Sequence, residues 1–137
     1  MKKVLPLFIF GYITAFAGLA LAHHSAAIFD STKLVILKGT TLKFTNMNQH
    51  AWISIEAKVN GAGESERWDV ETTAPIQLVA MGITSQTLKP GGKVTIGIRP
   101  LRDGRHAGAL VFLVTADGAA HGANPNDLGL DIATLKP

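Results

Sequence analysis

The chain has 137 residues, with 13 Lys+Arg against 10 Asp+Glu, five His and no Cys. Without cysteine there is no disulfide framework, no zinc ribbon, no thiol catalysis and no lipid attachment through an N-terminal cysteine. The small positive charge contains no basic run of the kind a nucleic-acid footprint needs, and the length suits one domain with a modest core.

Lys2 and Lys3 precede an uncharged stretch over residues 4–22 that ends in Ala20-Leu21-Ala22. A basic start, an apolar run and an A-x-A exit are the layout of a secretory signal peptide, here residues 1–22. A membrane anchor is the alternative for a stretch this long; the small residues and the abrupt polar turn behind them favour cleavage. Processing would leave a periplasmic chain that begins His23-His24-Ser25. Loss of Lys2 and Lys3 would leave it 11 basic and 10 acidic residues. Such a chain is expected to have no membrane attachment and no nucleic-acid partner.

Beyond the leader, apolar residues recur with a period of two, the mark of half-buried strands. A short run at 34–37 leads into 40–45, where alternation puts Leu42 and Phe44 on one face. Over 51–59, Ala51, Ile53, Ile55, Ala57 and Val59 face inward, with Trp52, Ser54, Glu56 and Lys58 outward. Asn60-Gly61 signals a hairpin. Over 67–72, Trp68 and Val70 face inward, and Arg67, Asp69 and Glu71 read as a solvated face.

Residues 74–81 read as a short helix, with Pro75 in its first turn and Gly82 as its stop. Leu88-Lys89-Pro90-Gly91-Gly92 turns into a strand carrying Val94, Ile96 and Ile98. After a charged turn at 102–105, residues 109–115 form a last buried strand. Residues 119–137 read as an irregular tail with one short element, 128–135, packing back.

Five strands with a helix between the third and fourth is the order of an OB-like Greek-key barrel. The expected fold over residues 23–118 is therefore all-β with one short helix: a five-stranded barrel whose long first strand bends near Gly39. A small β-sandwich is the alternative.

The chemistry concentrates in the histidines. Cleavage after Ala22 would give His23 a free α-amine of pKa about 7.7–8.0. That amine and the His23 Nδ1 can chelate one ion. A further imidazole would complete a T-shaped three-nitrogen set, which suits copper, first in the divalent affinity order. His24 offers an optional fourth nitrogen. His50 precedes the clearest strand, and parity puts it with Trp52 on the outward face. His106 and His121 read as surface residues. Arg99, Arg102 and Arg105 read as a charged turn rather than an anion grip. No phosphate loop, nucleophile elbow or H-E-x-x-H motif is present, and no enzymatic activity is expected.

The segments His23-His24-Ser25-Ala26-Ala27, Phe29-Asp30, Leu37-Lys38-Gly39-Thr40 and Gln49-His50-Ala51-Trp52-Ile53 resemble a family of small exported bacterial proteins of unknown function. Its members open with Ala-His-His-Ser behind the leader and carry Asn-Pro-His-Ala-Trp. Trp68-Asp69-Val70-Glu71 and the turn at 88–91 match as well. The resemblance implies an exported OB-like domain and maps the family's histidines onto His23, His24 and His50. This chain departs from it at Gln49, where proline is usual, and at Ile98-Arg99-Pro100-Leu101.

The expected function is periplasmic binding of a transition metal ion, copper best, by His23, His24 and His50, for carriage or buffering. The alternative is a metal-free OB-like module that docks a periplasmic partner protein or small ligand on the outward face around Trp52 and His50.

Overall fold

The computed structural model describes residues 24–47 and 50–137. The signal peptide expected at 1–22, His23, and Asn48 and Gln49 of the His50 segment lie outside the described residues, as does the side chain of His24. The elements run α1 (His24–Ala27), β1 (Val35–Asn46), β2 (Ala51–Val59), β3 (Ala62–Glu71), α2 (Pro75–Ala80), β4 (Lys93–Pro100), β5 (Ala107–Thr115) and β6 (Ala120–Gly122). Two 3₁₀ turns follow, Pro125–Leu128 and Ile132–Leu135.

Antiparallel pairing joins β3 to β2, β2 to β1, β1 to β4 and β4 to β5. A parallel pairing of β3 with β5 then closes the ring. That closure makes a five-stranded OB-like barrel and removes the β-sandwich alternative, in which the two sheets would stay separate.

β2 follows its alternation as far as Ala57, while Val59, expected inward, is 37% exposed beyond the irregularity in the β2–β3 ladder. Ala51, Ile53, Ile55 and Ala57 are buried, at most 1% exposed, and pack with Trp68 and Val70 of β3 and Ile96 and Ile98 of β4. α2 closes one end of this core with Leu78. Pro75 sits in its first turn, and Gly82 follows it at φ +75°, a conformation side chains resist.

β1 departs from the expected parity. Its register slips between Thr41 and Lys43, because two residues of β1 oppose one of β2. Leu42 is the extra residue of this bulge and is 41% exposed. Phe44, set opposite Ile53, packs on the core as expected. Earlier in the strand, Gly39 lies so close to β2 that a Cβ would strike the Glu56 carbonyl and stand 2.6 Å from Ala57 Cα. The coiling of the long first strand requires a glycine there.

β5 is apolar without strict alternation because both its faces are covered. Leu113 points into the barrel, while Phe112 and Val114 join a second cluster on the outside with Leu135. Leu128 and Leu130 pack on that cluster. The C-terminal segment thus holds more structure than its composition suggests. β6 pairs with β5 over Phe112–Val114, and the two 3₁₀ turns are capped by Asn124 and Asp131 side chains.

Candidate functional site

Four segments converge at one end of the β2–β3 face. In the ladder Trp52 stands opposite Glu71, and Ser54 opposite Asp69. Since Ala51 and Ile53 point inward, His50, Trp52 and Ser54 point outward. His50 then meets Glu71: its Nδ1 donates to Glu71 Oε1 in a short contact. A carboxylate only accepts, so in the neutral imidazole this contact selects the tautomer with its proton on Nδ1 and the lone pair on Nε2. The His50 side chain is 44% exposed and that of Glu71 only 16%.

The N-terminal segment forms the second wall. The Ile28 carbonyl accepts from Arg102 N–H at 2.9 Å, and the Ala27 carbonyl accepts from Arg102 Nε at 3.1 Å. Phe29 bridges to Leu101, and the Asp30 N–H donates to the Pro100 carbonyl at 2.8 Å. Asp30 ends this anchor in a local turn. Its carboxylate accepts from Thr32 Oγ1 at 2.6 Å and Thr32 N–H at 3.1 Å, with Lys33 Nζ at 3.2 Å. These bonds hold its pKa down to about 2, the Thr32 hydroxyl bond contributing most.

The two walls share a cavity of about 270 Å³, whose lining includes Ala26, Phe29, His50, Glu71 and Thr73. Next to it, a hollow of about 230 Å³ is lined by Phe29, Trp52, Asp69, Glu71 and Arg105, among others. A third depression, about 320 Å³, is lined by Met47, His50, Trp52 and Glu71. All three meet at the His50–Glu71 pair or at Trp52.

Of the expected ligands, His50 therefore lines a recess, and Ala26 of α1 lines the same recess. His23 and the side chain of His24 lie outside the described residues. Among the described residues no group of three or more His, Cys, Asp or Glu side chains is gathered closely enough to hold a metal ion. The alternation of β3 marks Glu71 as part of a solvated face, whereas in the structure its side chain is only 16% exposed and meets His50.

The remaining histidines have other surroundings. His106 stacks on Trp68, ring centres 4.8 Å apart and planes at 25°, with Glu66 Oε2 at 3.4 Å from Nε2. The Nδ1 of His121 lies 2.9 Å from the Met81 carbonyl. His121 borders a separate cavity of about 550 Å³ near Lys89, Lys93 and Asp117. The three arginines do not converge on an anion. Arg99 Nη1 donates to the Lys33 carbonyl at 2.7 Å, Arg102 holds Ala27, and Arg105 pairs with Asp103 at 2.8 Å.

Fold and recess together define a small OB-like barrel with a histidine–carboxylate pair at the rim of its β2–β3 face. A family model described as a family of unknown function (DUF6152) matches residues 12–111, and the chain belongs to that family. Among the described elements the match spans α1 to the middle of β5. No curated protein and no solved structure was found to match the chain.

Proposed function

We propose that this is an exported OB-like protein that binds one transition metal ion, copper best, where the N-terminal segment meets His50. The observation that carries the reading is the His50–Glu71 pair in the recess bordered by Ala26. Metal-binding histidines commonly donate their second ring N–H to a carboxylate, which fixes the tautomer and raises the basicity of the ligating nitrogen. After processing behind Ala22, the His23 amine and imidazole would supply two nitrogens, His50 Nε2 a third and His24 an optional fourth. The role is carriage or buffering of the ion in the periplasm.

The test is a Cu(II) titration of chain recovered from the periplasm with its native terminus, read by electron paramagnetic resonance. A stoichiometric three- or four-nitrogen signal is expected, lost in His50→Ala and in a chain extended by one residue before His23. Equal binding by extended and native chains would defeat the reading. Binding should also weaken as pH falls, because each nitrogen must shed its proton to coordinate.

The second reading, a metal-free module that docks a partner or small ligand, draws on Trp52. This residue lines two of the three hollows on the β2–β3 face, the face with which OB barrels take their ligands. It predicts that Trp52→Ala abolishes capture of a partner while His50→Ala leaves it intact.

A further inference from the structure

The β1–β2 ladder places a sulfur beside the imidazole. Thr45 pairs with Trp52 and Asn46 with Ala51, and beyond them the Met47 N–H donates to the His50 carbonyl at 3.3 Å. Met47 is thus the cross-strand neighbour of His50, on the face that also carries Trp52, and directly opposed side chains of a ladder have Cβ atoms about 4.5–5.5 Å apart. Met47, His50, Trp52 and Glu71 line a single depression of about 320 Å³. Met47 is 58% exposed, so its long apolar side chain contributes little to the core.

We infer that this depression is a site for a soft monovalent cation, Cu(I) or its redox-inert counterpart Ag(I), held by the Met47 thioether and His50 Nε2 with the Trp52 indole as its third wall. Thioether sulfur selects Cu(I) over harder ions, and imidazole accepts it as well. Indole is the best of the aromatic side chains at attracting a cation to its face. Glu71 has its carboxylate on His50 Nδ1, so it serves to hold the imidazole while sulfur and Nε2 bind the ion. The inference rests on the reading that His50 is a metal ligand, and it adds a thioether and a preferred oxidation state. It does not need the N-terminal amine. Because the nitrogen set of His23 and the sulfur of Met47 would share His50, the protein would hold one ion at this end at a time.

The experiment is a titration with Ag(I) in chloride-free buffer, followed by tryptophan emission and by mass spectrometry of the intact chain. Wild type is expected to take one Ag(I) with a change in emission, and Trp52→Phe, which keeps Trp68, is expected to lose that change. Met47→Leu should weaken binding by about tenfold or more, and Met81→Leu, which alters another exposed methionine, should not. Both substitutions alter exposed side chains, so an unchanged circular dichroism spectrum is expected. Wild-type affinity in Met47→Leu, or bound Ag(I) without a Trp52-dependent change, would overturn the inference. The chain extended before His23 separates the two readings. If it loses the Cu(II) signal yet takes Ag(I) through Met47, both stand. If native chain binds Cu(II) and Met47→Leu leaves Ag(I) binding unaltered, only the thioether site falls. If Ag(I) binds through Met47 and Cu(II) gives no nitrogen signal, only the N-terminal chelate falls.

Discussion

Glu71 reaches His50 from the neighbouring strand and fixes which ring nitrogen carries the proton. Removing its charge while keeping its shape tests that role. Glu71→Gln should fold normally and lose about 10–100-fold in metal affinity, the usual cost of an outer-shell carboxylate. Calorimetric titration of both proteins would show it, and unchanged affinity would make the contact a local hydrogen bond and nothing more. The outward direction of His50 was legible from parity alone, because Ala51 and Ile53 fix the buried side of β2. The partner was not. A regular turn about Asn60–Gly61 pairs Val59 with Ala62 and, carried down the ladder, would set Trp52 against Asp69. The irregularity between Ala57 and Val59 moves that position to Glu71. Alternation reports faces, and a shift of two residues moves the register along a face without changing the pattern.

Among the elements, the N-terminal segment depends most on a few polar bonds. α1 is only four residues long, too short to persist without tertiary support, and Ala27 to Asp30 are tied down by Arg102, Leu101 and Pro100. Asp30 terminates the tie, and its carboxyl pKa is lowered from 3.8 to about 2 by Thr32 and Lys33. A depressed carboxyl pKa adds stability above its unfolded value and loses it as pH falls through the folded one. Stability should therefore drop between about pH 4 and pH 2, and Asp30→Asn should flatten that part of the curve. Denaturant midpoints measured across the window would check it, and parallel curves for the two proteins would refute the assignment. The same kind of bookkeeping explains which elements could be read in advance. β2 as far as Ala57, β3 from Arg67 onward, and α2 carry regular periods, whereas residues 62–66 of β3 are exposed throughout and carry none. β1 misled at Leu42, because one extra residue reverses the faces on either side of it.

At the scale of the molecule, the tail shows where sequence pattern runs out. Residues 119–137 lack periodicity because their few apolar side chains come from successive turns rather than from one helix or strand. Leu128, Leu130 and Leu135 nonetheless cover Phe112 and Val114, which is why β5 could be apolar on both sides. Closure of the barrel rests on a shorter stretch. The parallel seam of β3 and β5 pairs three residues, Asp69, Val70 and Glu71, with Ala107, Gly108 and Ala109. Glu71 is its last rung, and Leu101 and Arg102, the N-terminal segment's partners, precede its other strand. Whatever lodges against His50 therefore also acts as a clasp on the ring. A bound ion would slow amide hydrogen exchange along those three rungs more than in the long β1–β2 ladder, so that the barrel's breathing would report the state of its cargo.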